Sequence, residues 1–192
     1  MRVLFAAIAA SAMTVLACSG SSSPTGPSGG GATFNLMLKD SPFSDAKSVL
    51  VTFSEVTAHR AAEADFTKVP FAAGATARTC DLKKLQTAQD VLGTGTLPAG
   101  HYTQVRLVVS SATIYFDNAA AGTACAPTIT APDGRSASLD IPSGEVKLNR
   151  QFDVPASGTT TMLLDFDGDQ SIRETGNGRY LMTPVIAVIS VQ

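Results

Sequence analysis

From residue 32 onward the chain alternates apolar and polar side chains with a period of two, which suits strands with one face turned inward and not helices. Phe34, Leu36 and Leu38 alternate with Asn35 and Lys39, and Val49, Val51 and Phe53 alternate with Leu50, Thr52 and Ser54. In "HYTQVRLVV", Thr103, Val105, Leu107 and Val109 fall on one side, with Tyr102, Gln104 and Arg106 on the other. Leu139 and Ile141, then Val146, Leu148, Phe152 and Val154, then Met162, Leu164 and Phe166, extend the series. The last segment, "YLMTPVIAVISVQ", is apolar on both sides and predicts a central strand. Pro184 interrupts it with a bulge or an unpaired position, because proline cannot donate to a ladder.

Turn residues separate these runs at "LPAG" (97–100), "APDG" (131–134), "IPSG" (141–144), "VPASG" (154–158) and "TGNG" (175–178). Asn177-Gly178 predicts a tight hairpin, since both residues accept positive φ with little strain. Only "DLKKLQTAQDVLG" (81–93) hints at a helix, with Asp81 as N-cap, an apolar stripe through Leu82, Leu85 and Val91 or Leu92, and Gly93 as C-cap. The alternative there is an irregular loop with one short turn. Eight or nine short strands at regular spacing predict an all-β fold, an antiparallel β-sandwich with at most one short helix, formed as a single domain over 32–192.

The first residues are set apart from that domain. "MRVLFAAIAASAMTVLAC" carries one charge at Arg2 and then an uncharged apolar and small-residue run to Cys18, the pattern of an export signal over 1–17. The run stops short of the roughly 20 apolar residues a membrane-spanning helix needs. Val15, Leu16 and Ala17 before Cys18 resemble a bacterial lipobox, with Leu16 where a small residue is more usual. That resemblance implies a diacylglycerol thioether on Cys18 and attachment to a membrane by lipid alone. Each buried methylene of such chains contributes about 0.8 kcal/mol, so two or three chains hold lastingly where one is marginal. "SGSSSPTGPSGGG" (19–31) then reads as a flexible tether spanning roughly 20 Å. These features together predict a chain on the bacterial cell envelope, facing the periplasm or the cell exterior.

Export bears on the cysteines as well. With Cys18 lipidated, Cys80 and Cys125 remain, an even number in a chain bound for an oxidising compartment, and parity favours a disulfide between them. Two free buried thiols or a metal pair are the alternatives, and with only His59 and His101 as further soft ligands a zinc site is the weaker one. Loss of residues 1–17 removes one of 14 basic residues and none of the 16 acidic ones, leaving a net charge of about −3. A weakly acidic body without a basic stripe argues against nucleic acid as partner.

"LLDFDGDQSI" (163–172) is the segment with most chemical content. If the strand stays extended to Asp169, then Asp165, Asp167 and Asp169 share one face, with neighbours about 6.5 to 7 Å apart. Three like charges would gain from a hard cation such as Ca²⁺, with Asp40 as a further oxygen donor. The spacing D-x-D-x-D begins like a helix-loop-helix calcium loop, but Gln170 holds the sixth position, where glycine belongs, and Gly176 the twelfth, where glutamate belongs. Solvated strand-end carboxylates are the simpler reading.

No G-x-S-x-G, Walker loop, H-E-x-x-H or C-x-x-C is present, and no nucleophile motif accompanies His59 or His101. The chain therefore reads as a non-enzymatic binding or interaction module without a cofactor, with a protein or glycan ligand. The absence of Trp weakens, without removing, a sugar ligand. The alternative function is a calcium-dependent binding domain built on Asp165, Asp167 and Asp169.

Taken together, "LMLKDSPFSDAKSVLVTFSEVTAHR", "LPAGHYTQVRL", "IPSGEVKL" and "LLDFDGDQSI…TGNGRYLMTPVI" resemble the domain of unknown function 4382 family of bacterial and archaeal lipoproteins, over about 33–190. The resemblance implies a prealbumin-like sandwich of Greek-key type and supplies no catalytic residue.

Overall fold

The computed structural model describes residues 30–41 and 43–192. The export signal, Cys18 and residues 19–29 of the tether lie outside the described residues. In chain order the strands are β1 (Gly31–Ser41), β2 (Ser48–Arg60), β3 (Phe66–Lys68), β4 (Arg78–Asp81), β5 (Asp90–Pro98), β6 (Gly100–Tyr115) and β7 (Cys125–Ala126). There follow β8 (Ser136–Asp140), β9 (Glu145–Leu148), β10 (Phe152–Val154), β11 (Thr159–Asp167), β12 (Ile172–Gly176), β13 (Arg179–Met182) and β14 (Ile186–Val191). One helical turn, α1 (Gly168–Ser171), separates β11 from β12.

The period-two segments form strands, and among the described residues these make two sheets. One runs β14-β11-β1-β5; the other runs β12-β13-β8-β6-β2-β4-β7, with β9 and β10 also on β6 and β3 on β2. Most pairs are antiparallel, and β1–β11 and β13–β8 are parallel. Phe34, Leu36, Leu38, Met162, Leu164 and Phe166 from the first sheet meet Val49, Val51, Phe53, Val105, Leu107 and Ile114 from the second in one buried cluster. The fold is thus an all-β sandwich. Pairings such as β3, β4 and β7 add short strands that alternation over two to four residues cannot signal.

Three expectations change. Alternation places Tyr102 on the polar side of its strand, but it is fully buried, because the register between β2 and β6 shifts at His59/Arg60 and leaves Thr103 without an opposite residue. A one-residue shift moves a side chain to the other face. The Tyr102 ring stacks on Phe152, which stacks on Phe34, and its hydroxyl donates to the Pro98 carbonyl at 2.9 Å. Burial raises the phenol pKa.

Residues 81–93 form no long helix but the loop alternative, with a single 3-10 turn at Lys84–Gln86. The Asp81 carboxylate does accept from the Lys83 N–H, as a cap would, but it is also held by the Ser48 hydroxyl at 2.6 Å and the Val49 N–H at 3.1 Å. That anchorage fixes Asp81 at the end of β4. Gly93 belongs to β5 and lies against Pro70.

The C-terminal segment is two strands rather than one central strand. β13 pairs between β12 and β8, Pro184 breaks the ladder, and β14 becomes the edge of the other sheet among the described residues. Buried Ser171 fixes the crossing: its carbonyl accepts from the Thr183 N–H and its hydroxyl from the Val185 N–H, both at 2.8 Å.

Candidate functional site

The β12–β13 turn forms at Asn177 (φ 54°) and Gly178 (φ 70°), the positive-φ pair that this dipeptide favours. Perfect pairing away from that turn would set Thr175 opposite Tyr180. Instead the register shifts between Glu174 and Gly176, and Glu174 stands opposite Tyr180. Cross-strand neighbours share a face, so one carboxylate and one phenol ring emerge together. On the same face, one step inward, Ile172 pairs with Met182 and both are buried. The apolar interior therefore runs outward along this hairpin to Tyr180.

The parallel β13–β8 pair, with Tyr180 opposite Leu139, carries the hairpin alongside the end of β6. Phe116 follows β6, and its N–H donates to the Arg135 carbonyl at 3.0 Å. Its ring lies 5.5 Å from that of Tyr180, tilted by 43°. Between these elements an open cleft of about 460 Å³ is lined by Phe116, Arg135, Ser136, Ala137, Glu174, Gly178 and Tyr180. Its size falls in the range of small-molecule sites, roughly 300 to 1,000 Å³.

Two charged side chains at the cleft are held in place. Asp117 accepts the Arg135 backbone N–H at 2.7 Å and its Nε at 3.1 Å, while the guanidinium carbon lies 5.7 Å from the Phe116 ring centre. These hydrogen bonds from Arg135, the backbone one first, lower the Asp117 pKa. Glu174 Oε1 accepts from the Gly178 N–H at 3.3 Å, across the turn. An aromatic surface, a fixed guanidinium donor and a carboxylate acceptor thus border one concavity. Such an arrangement can hold a ligand that has an apolar face and polar edges.

The three aspartates of 165–169 do not converge. β11 ends at Asp167 and the chain turns into α1, so the extended geometry that would align Asp169 with the other two is lost. Asp165 pairs with Lys39 at 2.8 Å across the β1–β11 ladder. Asp167 caps α1, with one oxygen accepting from the Gln170 N–H at 3.0 Å and the other from its side-chain amide at 2.6 Å. Asp169 is exposed in the first turn of α1. Asp40 is buried in β1, paired in register with Phe166. Among the described residues no group of three or more His, Cys, Asp and Glu side chains is placed to hold a metal ion.

Cys80 and Cys125 form a disulfide and are paired in register on β4 and β7. Asp90 supports that corner, accepting from the Cys125 N–H at 3.0 Å and from Arg78 at 3.1 Å. His59 bonds Thr103 and the Glu63 carbonyl and lies against Phe66, while His101 pairs with Asp153.

Sequence reasoning missed Phe116, Arg135, Glu174 and Tyr180. Asn177-Gly178 marked the hairpin, but the parallel β13–β8 pairing that carries it to Phe116 has no local signature. No helix among the described residues is long and apolar enough to cross a membrane. Residues 31–184 match the family described as Domain of unknown function (DUF4382). No curated protein and no solved structure matches the chain.

Proposed function

The chain belongs to the domain of unknown function 4382 family, and we propose that it is a lipid-anchored, non-enzymatic binding module of the bacterial cell envelope. In this reading Cys18 carries the lipid, the tether runs from residue 19 only as far as Gly30, since Gly31 is already paired with Pro98 in β1, and the domain faces the periplasm or the cell exterior. The membrane is engaged through lipid only, and a protein or glycan ligand enters the cleft between Phe116 and Tyr180. The export-signal pattern, the lipobox resemblance and the Ser/Gly/Pro tether support the anchoring. The observation that carries the binding role is the cleft itself, where apolar surface meets a guanidinium and a carboxylate that are each held by hydrogen bonds.

The test is fractionation of the native host with mass spectrometry of the mature N-terminus. We expect diacylglycerol on Cys18, and release of the Cys18→Ser chain from membranes. Tyr180→Ala should leave membrane attachment unchanged and reduce retention on isolated envelope material. An unmodified Cys18, or equal retention of Tyr180→Ala, would overturn the corresponding half of the proposal.

A further inference from the structure

Resting on the reading that this cleft is a binding site, we infer that its ligand is a neutral saccharide, seated with the C–H face of one pyranose ring on the Phe116–Tyr180 surface. The chemistry of the border selects among ligand classes. A long apolar chain would strip water from Arg135 and Glu174 without replacing its hydrogen bonds. An acidic ligand would meet the Glu174 carboxylate. A cationic ligand would meet the Arg135 guanidinium as a like charge. A neutral pyranose avoids all three conflicts.

Each sugar hydroxyl both donates and accepts, as a border of mixed sign demands. Glu174 accepts, Arg135 donates, and the Ser136 hydroxyl does either. The ring's C–H face meets aromatic surface, and Phe116 and Tyr180, 5.5 Å apart, supply that surface in a chain without Trp. Asp117 fixes Arg135 and the Gly178 N–H fixes Glu174, so less side-chain freedom is lost on binding.

The test is a heteronuclear NMR titration of the full chain in detergent with maltotriose, cellotriose and chitotriose. A sulfated disaccharide and an uncharged pentapeptide are titrated in parallel. At least one neutral trisaccharide should bind at about 1 mM or tighter and shift resonances of Phe116, Arg135, Ser136, Glu174 and Tyr180. Tyr180→Ala should weaken that binding about tenfold. Glu174→Gln, at an exposed position that leaves the melting temperature unchanged, should also weaken it about tenfold. Failure of all three trisaccharides, or affinity unchanged from the parent chain in both variants, would overturn the saccharide assignment. If only the peptide or the sulfated sugar shifts the cleft resonances, the assignment falls and the cleft remains a binding site. If no probe shifts them, both fall.

Discussion

Glu174 stands directly opposite Tyr180 on the β12–β13 hairpin because Thr175 is left out of the pairing next to Gly176, whose φ is 101°. The cleft border thus depends on a bulge as much as on a turn. A Cβ at Gly176 meets no heavy atom within 4 Å, so substitution there acts through the backbone alone. Gly176→Ala should cost about 1–2 kcal/mol, the strain of placing an L side chain at such φ, measurable by denaturant unfolding. An unchanged midpoint would contradict the positive φ at residue 176.

The Cys80–Cys125 disulfide spans a sequence separation of 45 and ties β7 to β4. Loop entropy predicts that Cys80→Ala/Cys125→Ala loses roughly 3–4 kcal/mol. Equilibrium unfolding of the variant against the oxidised parent checks this.

Asp167 contributes as a helix cap. Asp167→Ala should lose about 1 kcal/mol, the usual worth of an N-cap. With Asp165 on Lys39 and Asp167 on Gln170, millimolar calcium or chelator should leave the melting temperature unchanged. A calcium-dependent rise that disappears in Asp167→Ala would favour the metal reading.

The Arg135–Asp117 contact gives a pH signature. Because the folded pKa of Asp117 lies below its unfolded value, the contact stabilises fully above the unfolded pKa and is lost as pH falls through the depressed folded one. The Asp117 carboxyl carbon should titrate below the usual carboxylate range. Arg135→Gln should move the midpoint only part of the way back, since the backbone N–H at residue 135 still donates.

Much of the fold was legible because its signals are local. Alternation at Phe34, Leu36 and Leu38 or at Met162, Leu164 and Phe166 names strands and their buried faces, and Asn177-Gly178 names a turn. What long-range pairing decides was not legible. Tyr102 changes face because β2 and β6 slip against each other, and Asp81 is recruited by Ser48, 33 residues away. The cleft is the extreme case: Tyr180 reaches Phe116 and Arg135 only after a parallel pair has formed between β8 and β13.

Hydrogen exchange of the full chain, with and without purified envelope polysaccharide, locates the binding surface. Binding at the cleft slows exchange at the backbone amides of residues 135–137 and 174–180 and leaves residues 186–191 of β14 unaffected. Protection confined to β14, or none at the cleft at saturating polysaccharide, would contradict it.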